Sequence, residues 1–134
     1  MGALSNTRLN NYGLYQKAAY LSSLFDTAPT ASWGGIHAAI WSLLGDGSPS
    51  LIHVAGALRM PPRTLQRRLA ADGTSLHREI EEVRKAMAMA ALRDRSMVIQ
   101  DVAFLLGYSE PSTFFRSFKR WTGTTPRHFR DVGL

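Results

Sequence analysis

Apolar residues return every three or four positions through most of this chain, the spacing of one buried face of an α-helix. Leu14, Ala18, Leu21 and Phe25, spaced 4, 3 and 4, predict an amphipathic helix over 11–25. Trp33, Ile36, His37, Ile40, Trp41 and Leu44 share the face of a second helix. Leu51, Val54, Ala55 and Leu58 define a short third one, and Leu65 and Leu69 point inward from the helix after it. Leu76, Ile80, Val83 and Met87 line a long helix expected from about Ser75 to Asp94, which Ala86, Ala88, Ala90 and Ala91 make a strong helix former. Ile99, Val102, Ala103 and Leu106, then Phe114, Phe118 and Trp121, repeat the short-then-longer pattern. The chain is expected to be all-α.

Glycines, prolines and small polar residues divide these helices. Pro29 marks a loop over 26–32, and Gly34-Gly35 weakens the start of the second helix. GDGSPS, 45–50, is a turn that caps the next helix through Ser48 or Ser50. Arg59-Met60-Pro61 is a tight turn, and Pro62 suits a first helical position, where its missing N–H costs nothing. Gly107 suits a left-handed helix end, and Ser109 suits an N-cap. Thr125-Pro126 opens a last short helix holding Arg127 to Arg130, and Gly133 and Leu134 are expected to fray. On the long helix, Glu81 and Lys85 form an i,i+4 pair in the favoured order. Arg84 there fits a structural brace at least as well as a phosphate ligand.

Two stretches, 50–75 and 98–125, say nearly the same thing. Val54-Ala55 falls on Val102-Ala103 and Leu58 on Leu106, all at an offset of 48. With one extra residue in the turn, Leu65, Arg67 and Leu69 fall on Phe114, Arg116 and Phe118. Each copy reads as short helix, tight turn, basic helix, which is the helix-turn-helix arrangement. A single copy reads equally well as a helical hairpin with a solvated charged face. The duplication favours the reading head, as does the use of arginine, glutamine, serine and threonine at the polar positions. The helix between the copies spans roughly 30 Å at ~1.5 Å per residue, close to one turn of B-DNA.

Net charge is +6, which favours polyanions only weakly by itself. Its placement says more. Arg59, Arg63, Arg67 and Arg68 stand in the first copy, and Arg116, Lys119, Arg120, Arg127 and Arg130 in and after the second. The connecting helix is nearly balanced.

At this point the residues resemble a known family. From about Ser48 to Arg130 the chain is similar to the DNA-binding domain of AraC/XylS-type bacterial transcription regulators. PPRTLQRRLAADGTS resembles that family's first recognition helix and its exit. DVAFLLGYSEPSTFFRSFKRWTGTTPRHFR resembles its second helix-turn-helix signature almost throughout. Pro61 departs from the pattern, standing where the family commonly has a capping serine. The resemblance implies two homeodomain-like three-helix units on a linker helix. The first helix-turn-helix is expected at about 50–71, the linker at about 75–94 and the second helix-turn-helix at about 98–121. It assigns 33–134 to that domain and leaves 1–32 as an N-terminal extension. It also implies a piece of a larger effector-responsive regulator, dimerising through an N-terminal domain outside this stretch. Double-stranded operator or promoter DNA is the implied partner, with RNA polymerase as a further candidate.

Helical geometry then selects side chains. Arg63, Gln66 and Arg67 share the side opposite Leu65 and Leu69 and are candidates for base edges. Arginine can donate two bonds to guanine O6/N7, and glutamine can pair with adenine N6/N7. Ser112, Thr113 and Arg116 form the matching, less basic surface, with Phe115 aligned to Gln66. Phe115 suits a thymine methyl and intramolecular packing equally. Thr64, Arg68, Lys119, Arg120 and Arg127 are candidate phosphate contacts, which position without specifying sequence.

Other chemistry finds little support. Cysteine is absent, so disulfides, thiolate zinc sites and cysteine nucleophiles are excluded together, and a cytoplasmic location fits. His37, His53, His77 and His128 lack metal-ligand spacing, and His37 sits on an apolar face as a hydrogen-bonded core histidine would. No phosphate loop or nucleophile elbow occurs, and no apolar run of ~18 residues calls for a membrane. No cofactor, metal or catalytic residue is expected. The competing class is a helical protein-interaction module that uses the fold without DNA.

Overall fold

The computed structural model describes residues 35–132. Among them lie seven α-helices and no strand: α1 (Ile36–Leu43), α2 (Leu51–Ala57), α3 (Pro62–Ala71), α4 (Leu76–Arg93), α5 (Ile99–Leu105), α6 (Pro111–Thr122) and α7 (Pro126–Val132). A single 3-10 turn, Leu44–Asp46, follows α1. The helix expected over 11–25, the loop over 26–32, Trp33, and the final Gly133 and Leu134 lie outside the described residues.

Local chemistry sets the helix ends. Ser50 caps α2, its Oγ accepting from the His53 N–H at 3.3 Å. Ser75 caps α4 in the same way, accepting from the Arg78 N–H at 3.2 Å. Thr125 accepts from the His128 N–H at 3.1 Å to start α7. Pro62 occupies the first turn of α3, entered from an extended Pro61 that offers no side-chain cap. The cap of α6 is Glu110 rather than Ser109. The reason is steric: Pro111 takes the first helical position and pushes the residue before it into extended backbone, here φ −133° and ψ 131°.

The long helix organises the packing. α4 buries Ile80, Val83, Met87, Ala88, Ala91 and Leu92. α1 docks on it and on α2, and α2 holds α3. α5, α6 and α7 also pack on α4, and α6 touches both α5 and α7. Each unit contributes its apolar face to one cluster: Ile36, Ile40, Val54, Ala55, Leu65 and Leu69 from the first, Val102, Ala103, Leu106, Phe114, Phe118 and Phe129 from the second. Phe118 is the aromatic centre of the second unit. Its ring meets Phe129 edge-on at 5.4 Å, Phe114 at 5.8 Å and Trp121 at 6.4 Å between centroids, the tilted geometry such rings prefer.

The two units meet at a polar seam. Arg84 of α4 is 8% exposed. Its Nε donates to the Leu106 carbonyl at 2.9 Å and its Nη2 to Ser48 Oγ at 3.1 Å. The guanidinium lies 4.4 Å from the Tyr108 ring centroid, a cation–π contact. Burial draws the Arg84 pKa below its usual value, while Tyr108 and Glu81 pull it back up. Arg84 therefore braces the interior. Beside it, Gly107 (φ 89°) sits so close to the first unit that a Cβ would lie 2.3 Å from the Leu44 carbonyl oxygen and 3.2 Å from that of Gly47. Its repeat counterpart, Arg59, holds the same left-handed conformation at φ 56° while carrying a side chain.

Candidate nucleic-acid interface

α3 presents two faces of opposite character. Leu65 and Leu69 are buried in the core. On the other side Arg63, Gln66 and Arg67 are exposed, as is Arg68, and Thr64 is half-buried between the faces. α6 repeats the division. Phe114, Ser117 and Phe118 are buried, while Ser112, Phe115, Arg116, Lys119 and Arg120 are exposed and Thr113 is half-buried. Among the described residues, the side chains of Arg63, Gln66, Arg67, Ser112, Arg116 and Lys119 have no hydrogen-bond or ion-pair partner. Long cationic side chains held by apolar backing and otherwise unengaged are suited to an external polyanion.

Arg120 differs. Its guanidinium bonds Glu81 Oε1 at 2.6 Å, tying α6 to α4. Glu81 also lies 3.6 Å from His77 Nε2, so its carboxylate turns to these two in place of the expected pairing with Lys85. Part of the cationic charge of α6 is thus neutralised at its C-terminal end.

Phe115 keeps 37% of its surface exposed although its ring contacts Phe114 at 5.8 Å. It lines a groove of about 740 Å³ with Val98, Ile99, Pro126, Arg95 and Arg127. Arg127 is exposed there. Arg130 is turned inward, donating to the carbonyls of Leu92 (2.8 Å) and Asp94 (3.2 Å) and so pinning α7 to the end of α4. Burial first, then the nearby Arg95, lowers the Arg130 pKa. Burial pushes the Asp101 carboxyl up. Sequence reasoning overlooked Arg95, which lines this groove and donates to the Arg130 carbonyl at 3.2 Å. It lies between helices, where no periodicity assigns a side.

His37 is half-buried, with Nε2 at 2.8 Å from Glu79 Oε1, and Thr74 Oγ1 donates to the other oxygen of that carboxylate at 2.8 Å. This joins α1, the exit of α3 and α4. No cluster of three metal-ligating side chains occurs among the described residues. No helix among them is long and apolar enough to cross a membrane.

Comparison with known proteins places this arrangement. A family model described as a helix-turn-helix domain matches residues 54–131. The chain is 47% identical over 91 residues to the HTH-type transcriptional regulator VirS of Mycobacterium tuberculosis, covering 68% of this chain and 27% of VirS. It is 34% identical over 125 residues to the HTH-type transcriptional regulator VqsM of Pseudomonas aeruginosa, covering 90% of this chain and 38% of VqsM. Among solved structures, the transcriptional regulator CdpR from Pseudomonas aeruginosa superposes with a TM-score of 0.61 at 38% identity, over 74% of this chain and 32% of CdpR. The chain thus spans between about a quarter and two-fifths of the length of these relatives.

Proposed function

This chain belongs to the AraC/XylS-type helix-turn-helix family, and from that premise we propose that it is the sequence-reading part of a cytoplasmic transcription regulator. It binds double-stranded DNA through α3 and α6, each lying in a major groove. α4 spaces them: 18 residues at ~1.5 Å each give ~27 Å, near the ~34 Å of one duplex turn. Arg63, Gln66 and Arg67 read base edges from α3, and Ser112, Thr113 and Arg116 do so from α6. Thr64, Arg68, Lys119 and Arg127 hold phosphates. Arg120 joins them when it leaves Glu81. RNA polymerase is a further partner in this reading.

One observation carries the reading. Twice in the same molecule, a helix seated on a buried apolar stripe turns unengaged cations to solvent on its opposite side, Arg63 and Arg67 on α3 and Arg116 and Lys119 on α6. A solvated surface of a generic helical module has no need of that duplication.

The test is selection from random duplex at low salt. One enriched motif with two elements is expected. Arg67→Ala should relax discrimination at one base pair by ~1–3 kcal/mol, and Lys119→Ala should weaken all sequences alike and lower the salt slope by about one. Recovery of no motif would refute the reading and favour a protein-interaction role.

A further inference from the structure

We propose that Arg84 is the positioning residue that sets the angle and spacing between the two reading helices, and thereby which separations of two DNA elements the protein accepts. This rests on the DNA-reading proposal and deepens it.

Apolar burial is non-directional, so a greasy junction between the two units could slide or rotate with little change in burial. The Arg84 contacts are directional. Ser48, in the turn that leads from α1 to α2, accepts one arm at 3.1 Å. The carbonyl of Leu106, the C-cap of α5, accepts the other at 2.9 Å. That carbonyl is one of those a helix end leaves without an intrahelical partner. Tyr108, in the turn of the second helix-turn-helix, has its ring centroid 4.4 Å from the guanidinium carbon, a cation–π contact. One planar group on the strut therefore grips a residue of each unit, with the Tyr108 ring as a third contact. The rigid fork of arginine is suited to this in a way that lysine is not.

The neighbouring close approach acts in the same sense. The Gly107 backbone lies against the Leu44 and Gly47 carbonyls with no room for a Cβ. A rotation of one unit about α4 must break the Arg84 fork or drive these backbones apart. Each DNA element is held by its own helix, so the fork is not needed for a single unit to read. It is needed for both to land together. Linked sites gain ~10²–10⁴ in affinity when geometry permits simultaneous engagement and lose that gain when it does not.

Two variants test this. Arg84→Met keeps the stem and removes the fork. Ser48→Ala removes only the arm to the first unit and leaves the core untouched. Affinity is measured on the selected duplex, on duplexes with one base pair inserted or deleted between the elements, and on each element alone. Wild type should lose about tenfold or more on insertion or deletion. Arg84→Met should bind the parent duplex more weakly yet discriminate spacing by less than about threefold, with single-element affinity unchanged. Ser48→Ala should move the same way by less. Variants that keep the wild-type spacing ratio, whatever their overall affinity, would overturn the proposal. A DNA-free measurement separates it from the reading on which it rests. The chain has no cysteine, so Gln66→Cys with Phe115→Cys allows a spin-label distance to be measured between α3 and α6. Arg84→Met should broaden that distribution. An unchanged distribution sinks the positioning role. A broadened one, alongside failure to select any motif, upholds Arg84 as the residue that sets α3 against α6 and sinks the DNA reading instead.

Discussion

Gly107 and Gly123 offer a matched pair of perturbations. Both hold left-handed backbone, φ 89° and φ 80°, but a Cβ on Gly123 would meet nothing within 4 Å. Placing an L-residue in that conformation costs ~1–2 kcal/mol. Replacing glycine by alanine returns ~0.4–1 kcal/mol by restricting the unfolded chain. Gly123→Ala should therefore cost between about zero and ~1.6 kcal/mol. Gly107→Ala carries the same two contributions and a third. Its Cβ would stand 2.3 Å from the Leu44 carbonyl oxygen, against an ordinary contact that begins at 3.4 Å. The backbone of 44–47 must retreat by roughly an ångström, and forced overpacking of this kind costs ~1–3 kcal/mol. The expected loss for Gly107→Ala is about 1–4.6 kcal/mol, out of a total near 5–15 for a domain. Urea unfolding followed by far-ultraviolet circular dichroism measures both variants, with unchanged m-values as the check on two-state behaviour. In thermal melts each kcal/mol should appear as a shift of about 3–5 °C for a chain of this size. Equal losses for the two variants would refute the reasoning, because the turn would then not be seated against Leu44.

Phe118 is fully buried among three aromatic rings, so Phe118→Ala should cost about 3–5 kcal/mol by the same urea assay. Arg120→Ala removes an ion pair whose arginine is 60% exposed, and should change stability by under about 1 kcal/mol. Glu81→Gln frees Arg120, so affinity for random duplex at low salt should rise and its salt slope steepen by about one; no change would place Arg120 outside the phosphate set. Burial raises the Asp101 pKa in the folded state. The folded state then holds the proton more tightly than the unfolded one, so ionisation costs stability as pH rises from the unfolded value near ~3.9 through the folded value. Asp101→Asn should gain on wild type across that window and hold a constant advantage above it, and a difference flat with pH from 3 to 7 would contradict this.

Helix identity was legible because each helix carries its own apolar period and its own stop signal. Leu65 with Leu69, and Phe114 with Phe118, point inward as their spacing demands, and Ser50, Ser75 and Thr125 cap as their residue type suggests. The offset of 48 located two equivalent units. What stayed illegible is where polar side chains go after the helices pack. Periodicity places Arg84 near the buried side of α4 but says nothing of Ser48 or the Leu106 carbonyl, which are distant in sequence. Arg120 reads as a solvent-facing cation until Glu81, 39 residues away, comes within reach. Cap placement at α6 turned on one proline: Ser109 has the better side chain, but Pro111 chose the residue before itself. Phe115 remains poised between packing and exposure because its position permits both.

The hexapeptide GDGSPS has the composition of a segment that tolerates insertion, as surface connections usually do. Here it is a spacer of set length. Gly47 lends its carbonyl to the floor beneath Gly107, and Ser48 its hydroxyl to Arg84. Lengthening it by a single residue would shift one of those atoms out of place and tilt one half of the molecule against the other. Grafting, tagging or domain fusion in this stretch would therefore act on alignment of the halves.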